Sequence, residues 1–272
     1  MNISIVTVFP ELYESFLKTS LIKRAQENNI VHFDIDRFSS FVSPKERIDA
    51  PTFGPGPGML IRPEVVQKAV EDKEKKYGSS FKIFFSPQGH KLDQRKLEQI
   101  THRARQSEHL MLLPARYEGM DARVEQEYAD EIISVGDFVL MGGDIPAMML
   151  LEGMLRLIPG VVGKEESVKE ESFTGPFVDY PQFTEPVEWK GKVVPDIVRS
   201  GNHAAINQWR MQHAIFKTVR EHFSWLRSHF LTSEQRKQVK ECVPHHYVVL
   251  THGDVLIGDQ RTIGSTSVTT ID

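Results

Sequence analysis

The chain has 272 residues, 40% of them hydrophobic and 26% charged, the balance of a globular protein with room for one large domain or two ordinary ones. Its formal net charge of −4 gives no global field that attracts nucleic acid, so RNA binding requires a local basic patch, and DNA is not an expected partner. The single cysteine, Cys242, excludes an internal disulfide and suits a reducing cytoplasm. No apolar run approaches about 18 residues, so no membrane span is expected, and MNISIVTVFP lacks a basic n-region and reads as a first buried strand, not a signal peptide.

Residues 3–8 form a run rich in β-branched side chains, which predicts a strand buried on both faces. Pro10-Glu11 opens a helix with Leu12, Phe16, Leu17, Leu21 and Ala25 as its apolar positions, and Asn28-Asn29 stops it. Over 31–38, Val31, Phe33 and Ile35 alternate with His32, Asp34 and Asp36, the pattern of a half-exposed strand. Residues 39–62 have no clear period and hold the turn-rich GPGPG at 54–58. A helix over 63–76 with Val65, Val66, Ala69 and Val70 inward, a strand over 81–85, a helix over 93–104 and a strand over 110–113 follow. This alternation predicts an α/β protein with a mainly parallel sheet.

The stretch SVGDFVLMGGDIPA (134–147) reads as a loop, a short buried strand over 138–141, a glycine turn, and a helix with Pro146 in its first turn. The apolar run 148–158 ends at Pro159-Gly160. Two other strands also end in glycine-bearing polar loops, Ser86-Pro87-Gln88-Gly89 and Arg116-Tyr117-Glu118-Gly119. Three such loops point to one ligand crevice at the carboxyl edge of the sheet. No GxGxxG or GxxxxGK[ST] occurs, so the crevice is neither a dinucleotide fingerprint nor a P-loop.

Residues 159–200 hold five prolines and four glycines with little periodicity, which reads as a long functional linker. A helix over 204–227 follows, with Ile206, Trp209, Ala214, Ile215 and Val219 as its stripe. Thr232-Ser233-Glu234-Gln235 matches a capping box and opens a further helix. Residues 246–251 read as a strand. The eleven histidines lack i,i+3 or i,i+4 spacing and there is no second cysteine, so no metal site is expected.

Seven motifs come in fixed order: FPELY (9–13), GPGPGML (54–60), SPQGHKLDQ (86–94), ARYEGMDARV (115–124), SVGDFVLMGGDIPAM (134–148), RLIPGVVG (156–163) and SGNHAAINQWR (200–210). Together, over roughly residues 1–240, the chain resembles the bacterial tRNA (guanine-N1)-methyltransferase family, of the knotted SPOUT class. The resemblance implies an α/β fold with a mainly parallel sheet and a C-terminal trefoil knot, followed by a small all-helical domain. It implies a cofactor-binding domain over 1–160, a flexible linker over 161–200 and a helical tRNA-binding domain over 201–243. Residues 244–272 resemble the start of a second SPOUT-type domain.

It further implies that the loops cradle S-adenosylmethionine. The matching positions are Ser86, Pro87, Ala115, Tyr117, Glu118, Ser134, Val135, Gly136, Asp137, Phe138, Val139, Leu140, Gly142, Gly143 and Pro146. The chain departs from the family pattern at Ala115, Met141 and Glu171. The implied product is N1-methylguanosine, immediately 3′ of a tRNA anticodon. Family members work as homodimers with a shared site, and Mg²⁺ assists them.

N1 of guanine carries a proton and is a poor nucleophile, so methylation needs a base for that proton and a cation near O6. The resemblance assigns the base to Glu171, before Ser172-Phe173, and the cation to Arg156. Their plain readings are a solvated charge in an acidic loop, among Glu165-Glu166 and Glu170-Glu171, and a helix C-terminal charge offsetting the dipole. His203, Arg210 and Lys217 are the implied RNA contacts. The alternative from another class is a non-catalytic RNA-binding protein that retains the fold, which S-adenosylmethionine binding distinguishes.

Overall fold

The structure is a computed structural model and describes residues 1–54, 58–162, 171–242, 246–251 and 254–259. The centre of the GPGPG loop, the acidic residues Glu165, Glu166 and Glu170, and the end of the tail lie outside them. The chain divides into two compact units, Met1–Glu165 and Glu166–Asp272.

The first unit is built on β1 (Asn2–Thr7), β2 (His32–Arg37), β5 (Phe81–Lys91), β6 (His109–Leu113) and β7 (Glu131–Ser134). They form one five-stranded sheet in the order β2-β1-β6-β5-β7, parallel throughout. A short antiparallel pair, β3 (Asp49–Pro51) with β4 (Met59–Ile61), occupies the stretch without periodicity. The helices are α1 (Tyr13–Leu17), α2 (Ser20–Glu27), α3 (Pro63–Tyr77), α4 (Gln94–Ser107), α5 (Ala122–Tyr128) and α6 (Asp144–Arg156).

Side chains alternate across a strand, so each apolar run feeds two cores. Ile3 and Ile5 of β1 and Leu110 and Leu112 of β6 pack with α1, α2, α4 and α6. Val6, Met111 and Leu113 face the other way, against α3 and α5. The expected doubly buried strands are therefore present. Asp93 caps α4 by accepting from Lys96 N at 2.7 Å.

Two expectations for this unit are corrected. The helix opened at Pro10 is not continuous. It breaks into a 3-10 turn (Pro10–Leu12), α1 and α2, because Thr19 is extended and Ser20 takes φ 23. Residues 138–141 are not a strand. The sheet edge beside β5 is taken by β7, and Val139 and Met141 are 82% and 89% exposed in the following loop.

β2 is the half-exposed strand expected. Phe33 and Ile35 lean on the first core, and Asp34 and Asp36 face α3. There they pair with Lys73, which is buried; Lys73 Nζ lies 2.9 Å from Asp34, and Lys76 reaches Asp34 at 3.0 Å. Burial alone would raise the Asp34 pKa, but the lysine hydrogen bonds outweigh it and hold it at about 2. A carboxyl whose folded pKa is depressed stabilises the fold above its unfolded value and loses that contribution as protons fill it. The stability gap between wild type and Asp34→Asn is expected to be roughly 2 kcal/mol at neutral pH and to close as pH falls from about 4 to about 2. Urea unfolding across that range measures it; a gap constant with pH would show that the ion pairs do not carry it.

The second unit contains a hairpin of β8 (Glu188–Trp189) and β9 (Lys192–Val193), turned by Lys190 at φ 52 and Gly191 at φ 74. Helices Asp196–Arg199, His203–Glu221, Phe223–Arg227 and Ser233–Cys242 follow. The single helix expected over 204–227 is broken at His222 (φ −129, ψ 39). Thr232 and Gln235 form the expected capping box: Gln235 N donates to Thr232 Oγ1 at 3.2 Å and Thr232 N to Gln235 Oε1 at 2.8 Å. Ile215, Val219, Leu226, Leu231 and Val239 make the core, with Phe177 packed against it. β10 (His246–Thr251) is the expected strand and pairs antiparallel with β11 (Asp254–Asp259).

Candidate functional site

The carboxyl ends of the neighbouring strands β6, β5 and β7 open into one cleft of about 370 Å³ in the first unit. Each wall has a local cause. β5 leaves the sheet after Phe85 and returns at His90, both opposite Ile133, so residues 86–89 loop out. Ser86 Oγ accepts from Gln88 N at 3.3 Å within that loop. Gly89 lies against β7, where a Cβ would come 2.5 Å from Ile132 O.

After β6, Tyr117 at φ 58 and Gly119 at φ 114 fold the chain sharply, and Ala115 stays outside the left-handed region. β4 props this loop: Glu118 N donates to Met59 O at 3.1 Å, and Ile61 N to Gly119 O at 3.1 Å. Gly58 backs against Glu118, where a Cβ would overlap its Cγ. After β7, Ser134 Oγ closes a turn by donating to Gly136 O at 3.1 Å. Gly143 N donates to Ala115 O at 2.8 Å, tying the entry of α6 to the β6 loop.

The cleft gathers Ser86, Pro87, Ala115, Tyr117, Glu118, Ser134, Val135, Phe138, Val139, Leu140, Gly142, Gly143 and Pro146. Gly136 and Asp137 are in the same loop but not on the wall, and Asp137 pairs with Lys91 at 2.6 Å. The wall also includes Gln88, Arg116, Met120 and Glu125, which sequence reasoning did not assign. Arg116 sits inside the ARYEGMDARV motif, where its charge is the signal that marks it. Burial pushes the Glu125 carboxyl above the usual carboxylate range.

Arg156 is the last residue of α6 and half-buried, in the first unit. Glu171 belongs to the second unit. Glu171 lines a cleft of about 490 Å³ with Asp179, Tyr180, Asn207 and Arg210. The backbone there is fixed: Val178 N donates to Thr218 Oγ1 at 2.9 Å, and Trp225 Nε1 to Gly175 O at 3.0 Å. The Arg210 guanidinium lies 4.7 Å from the Tyr180 ring centre.

His203, Arg210 and Lys217 all fall on helix His203–Glu221 at seven-residue steps, which places them on one face. His203 and Lys217 are exposed. Among the described residues no group of three or more His, Cys, Asp or Glu could hold a metal ion, and no helix is long and apolar enough to cross a membrane.

A backbone-walled cleft at the carboxyl edge of a parallel sheet, without the glycine patterns of dinucleotide or P-loop proteins, is the place where α/β proteins of this kind hold small ligands. A family model described as tRNA (guanine-1)-methyltransferase TrmD matches residues 1–227. The tRNA (guanine-N(1)-)-methyltransferase of Bacillus subtilis (strain 168) is 39% identical over 243 residues, covering 89% of this chain and 98% of that protein. The protein of the same description from Dictyoglomus turgidum is 38% identical over 242 residues, covering 89% and 96%. The chain belongs to the tRNA (guanine-1)-methyltransferase family. Membership agrees with the enzyme class that the seven motifs imply and does not favour the non-catalytic RNA-binding alternative.

Proposed function

We propose that the protein transfers a methyl group from S-adenosylmethionine to N1 of the guanosine immediately 3′ of a tRNA anticodon. What carries the reading is the meeting of three glycine-bearing loops in one cleft, in a chain of this family. The cleft suits the cofactor on its own terms. Gly142 and Gly143 let the turn before α6 close against the β6 loop, main-chain groups of these walls can pair with an adenine edge, and Glu118 and Glu125 line the cleft for a ligand that carries positive charge.

S-adenosylmethionine supplies an electrophilic sulfonium methyl group when bound. Glu171 accepts the N1 proton of guanine as the methyl arrives, and Arg156 stabilises the charge that develops on O6. The target base leaves the anticodon-loop stack to reach them. His203, Arg210 and Lys217 give the acidic chain its local basic face for tRNA. No step is routed through Mg²⁺.

The proposed working unit is a homodimer in the cytoplasm. Phe138, Val139, Leu140 and Met141, with Ile145 and Met149 on α6, are exposed apolar side chains that a second copy would cover. The trefoil knot, the domain limits at 160, 200 and 243, and the tail as the opening of a second SPOUT-type domain belong to the same reading.

Incubation with tRNA and methyl-labelled S-adenosylmethionine, followed by primer extension, tests the reaction. The expected result is label in tRNA and a stop at the base 3′ of the anticodon. No transfer to any tRNA, or a stop elsewhere, would overturn the reading.

A further inference from the structure

Asp144, the first residue of α6, is fully buried. Its carboxylate accepts three hydrogen bonds from three separate segments. Thr7 Oγ1, at the end of β1, donates to Oδ1 at 2.5 Å, and the buried Tyr13 hydroxyl donates to the same oxygen at 3.1 Å. Arg116 Nε donates to Oδ2 at 2.7 Å. Thr7 Oγ1 also accepts from Phe9 N at 3.1 Å, and the Arg116 guanidinium lies 4.9 Å from the Phe9 ring centre. Burial and the Asp144 charge push the Tyr13 hydroxyl pKa up, so it remains a donor.

A buried ion pair is weak evidence for stability, because its desolvation cost rivals its attraction. Its place in the molecule is more informative. Arg116 lines the cleft, and its side chain runs across Gly142, where a Cβ would lie 2.7 Å from Arg116 Nε. The backbone of the preceding residue, Ala115, is hydrogen-bonded to Gly143. The β6 loop and the turn before α6, two of the three cleft walls, are thus joined twice: once through the main chain and once through Arg116 held by Asp144. Thr7 and Tyr13 could be satisfied by a neutral acceptor; the arginine gains most from a charged one.

We propose that Asp144 is a positioning residue for the ligand cleft, acting through Arg116 to hold the 115–119 loop and the Gly142-Gly143 turn in the geometry that binds cofactor. The proposal rests on the reading of this cleft as the S-adenosylmethionine site. Replacing the carboxylate with an amide keeps its shape and leaves an oxygen to accept from Thr7 and Tyr13, but sets an amide NH2 against the Arg116 Nε–H and so removes its grip on the arginine. The consequence falls on cofactor affinity, not on the tRNA face or the proton acceptor, which lie on other residues.

The test is S-adenosylmethionine calorimetry on wild type, Asp144→Asn, Arg116→Gln and the double variant, with steady-state kinetics and melting curves for each. Asp144→Asn is expected to raise the cofactor Kd and KM by about tenfold or more while tRNA KM and kcat change by less than about threefold. The double variant is expected to lose little beyond the worse single variant, since both break one contact. Tyr13→Phe removes a bond to the same carboxylate without touching Arg116, and is expected to lower the melting temperature and leave Kd near wild type. The double variant leaves no charge in the network and shows the same Kd increase even if Asp144→Asn alone does not fold. Wild-type Kd in the Asp144→Asn or double variant, additive effects of the pair, or an equal Kd change in Tyr13→Phe would overturn the proposal. A wild-type chain that binds no S-adenosylmethionine would instead bring down the reading of the cleft, and the proposal with it.

Discussion

Glu171→Gln is expected to lower kcat by roughly 10²-fold or more, with cofactor affinity within about twofold of wild type. Glutamine keeps the size and the hydrogen-bonding reach of the side chain but cannot take the N1 proton. Glu171 is not among the residues that line the cofactor cleft, so its substitution is not expected to change cofactor binding. Glu171→Asp retains proton acceptance and is expected to stay active. Single-turnover methyl transfer measures the chemical step without product release. A wild-type rate for Glu171→Gln would move the base to another group, and Asp179, on the wall of the same cleft, is the next candidate.

Gly142→Val is expected to weaken S-adenosylmethionine binding by more than tenfold, about 1.4 kcal/mol or more. A Cβ at this position would overlap the middle of the Arg116 side chain and lie 3.0 Å from Ala115 O. Arg116 cannot swing aside freely, because Asp144 holds its Nε. The valine therefore either pushes the β6 loop or projects into the cleft, and both displace the ligand. Gly143 is tighter still: its Cβ would meet main-chain atoms, Pro114 Cα at 2.9 Å and Ala115 N at 3.0 Å. Calorimetry with a melting curve distinguishes loss of binding from loss of fold. Unchanged affinity in a folded Gly142→Val protein would remove this turn from the site.

Elements buried on both faces were the most legible in the sequence. β1 and β6 are unbroken apolar runs because each residue meets a helix layer on one side or the other. The capping box at Thr232 was legible because its chemistry is local. β7 was not. Only Ile132 and Ile133 mark it, and the more apolar Phe138–Met141 drew the strand assignment to a loop that no neighbour covers within this unit. The glycine loops announced the cleft, since turns leave their mark in residue type. The Asp144 network left none: Thr7 and Asp144 are 137 positions apart, and neither is unusual where it stands.

The detour in β5 has a consequence for how this cleft can change over evolutionary time. Phe85 and His90 share the partner Ile133, so the register shifts by the length of the detour and pairing with β7 resumes at the rung where it stopped. The number of residues between them is therefore uncoupled from the rest of the sheet. Adding or removing one there shifts no side chain from one core to the other, whereas the same change inside β1 or β6 would turn every following residue inside out. Ahead of Gly89, which is pressed against the β7 backbone, the Ser86-Pro87-Gln88 segment is a replaceable cassette: one wall of the pocket whose length and chemistry can be rewritten while the scaffold that carries it stays as it is.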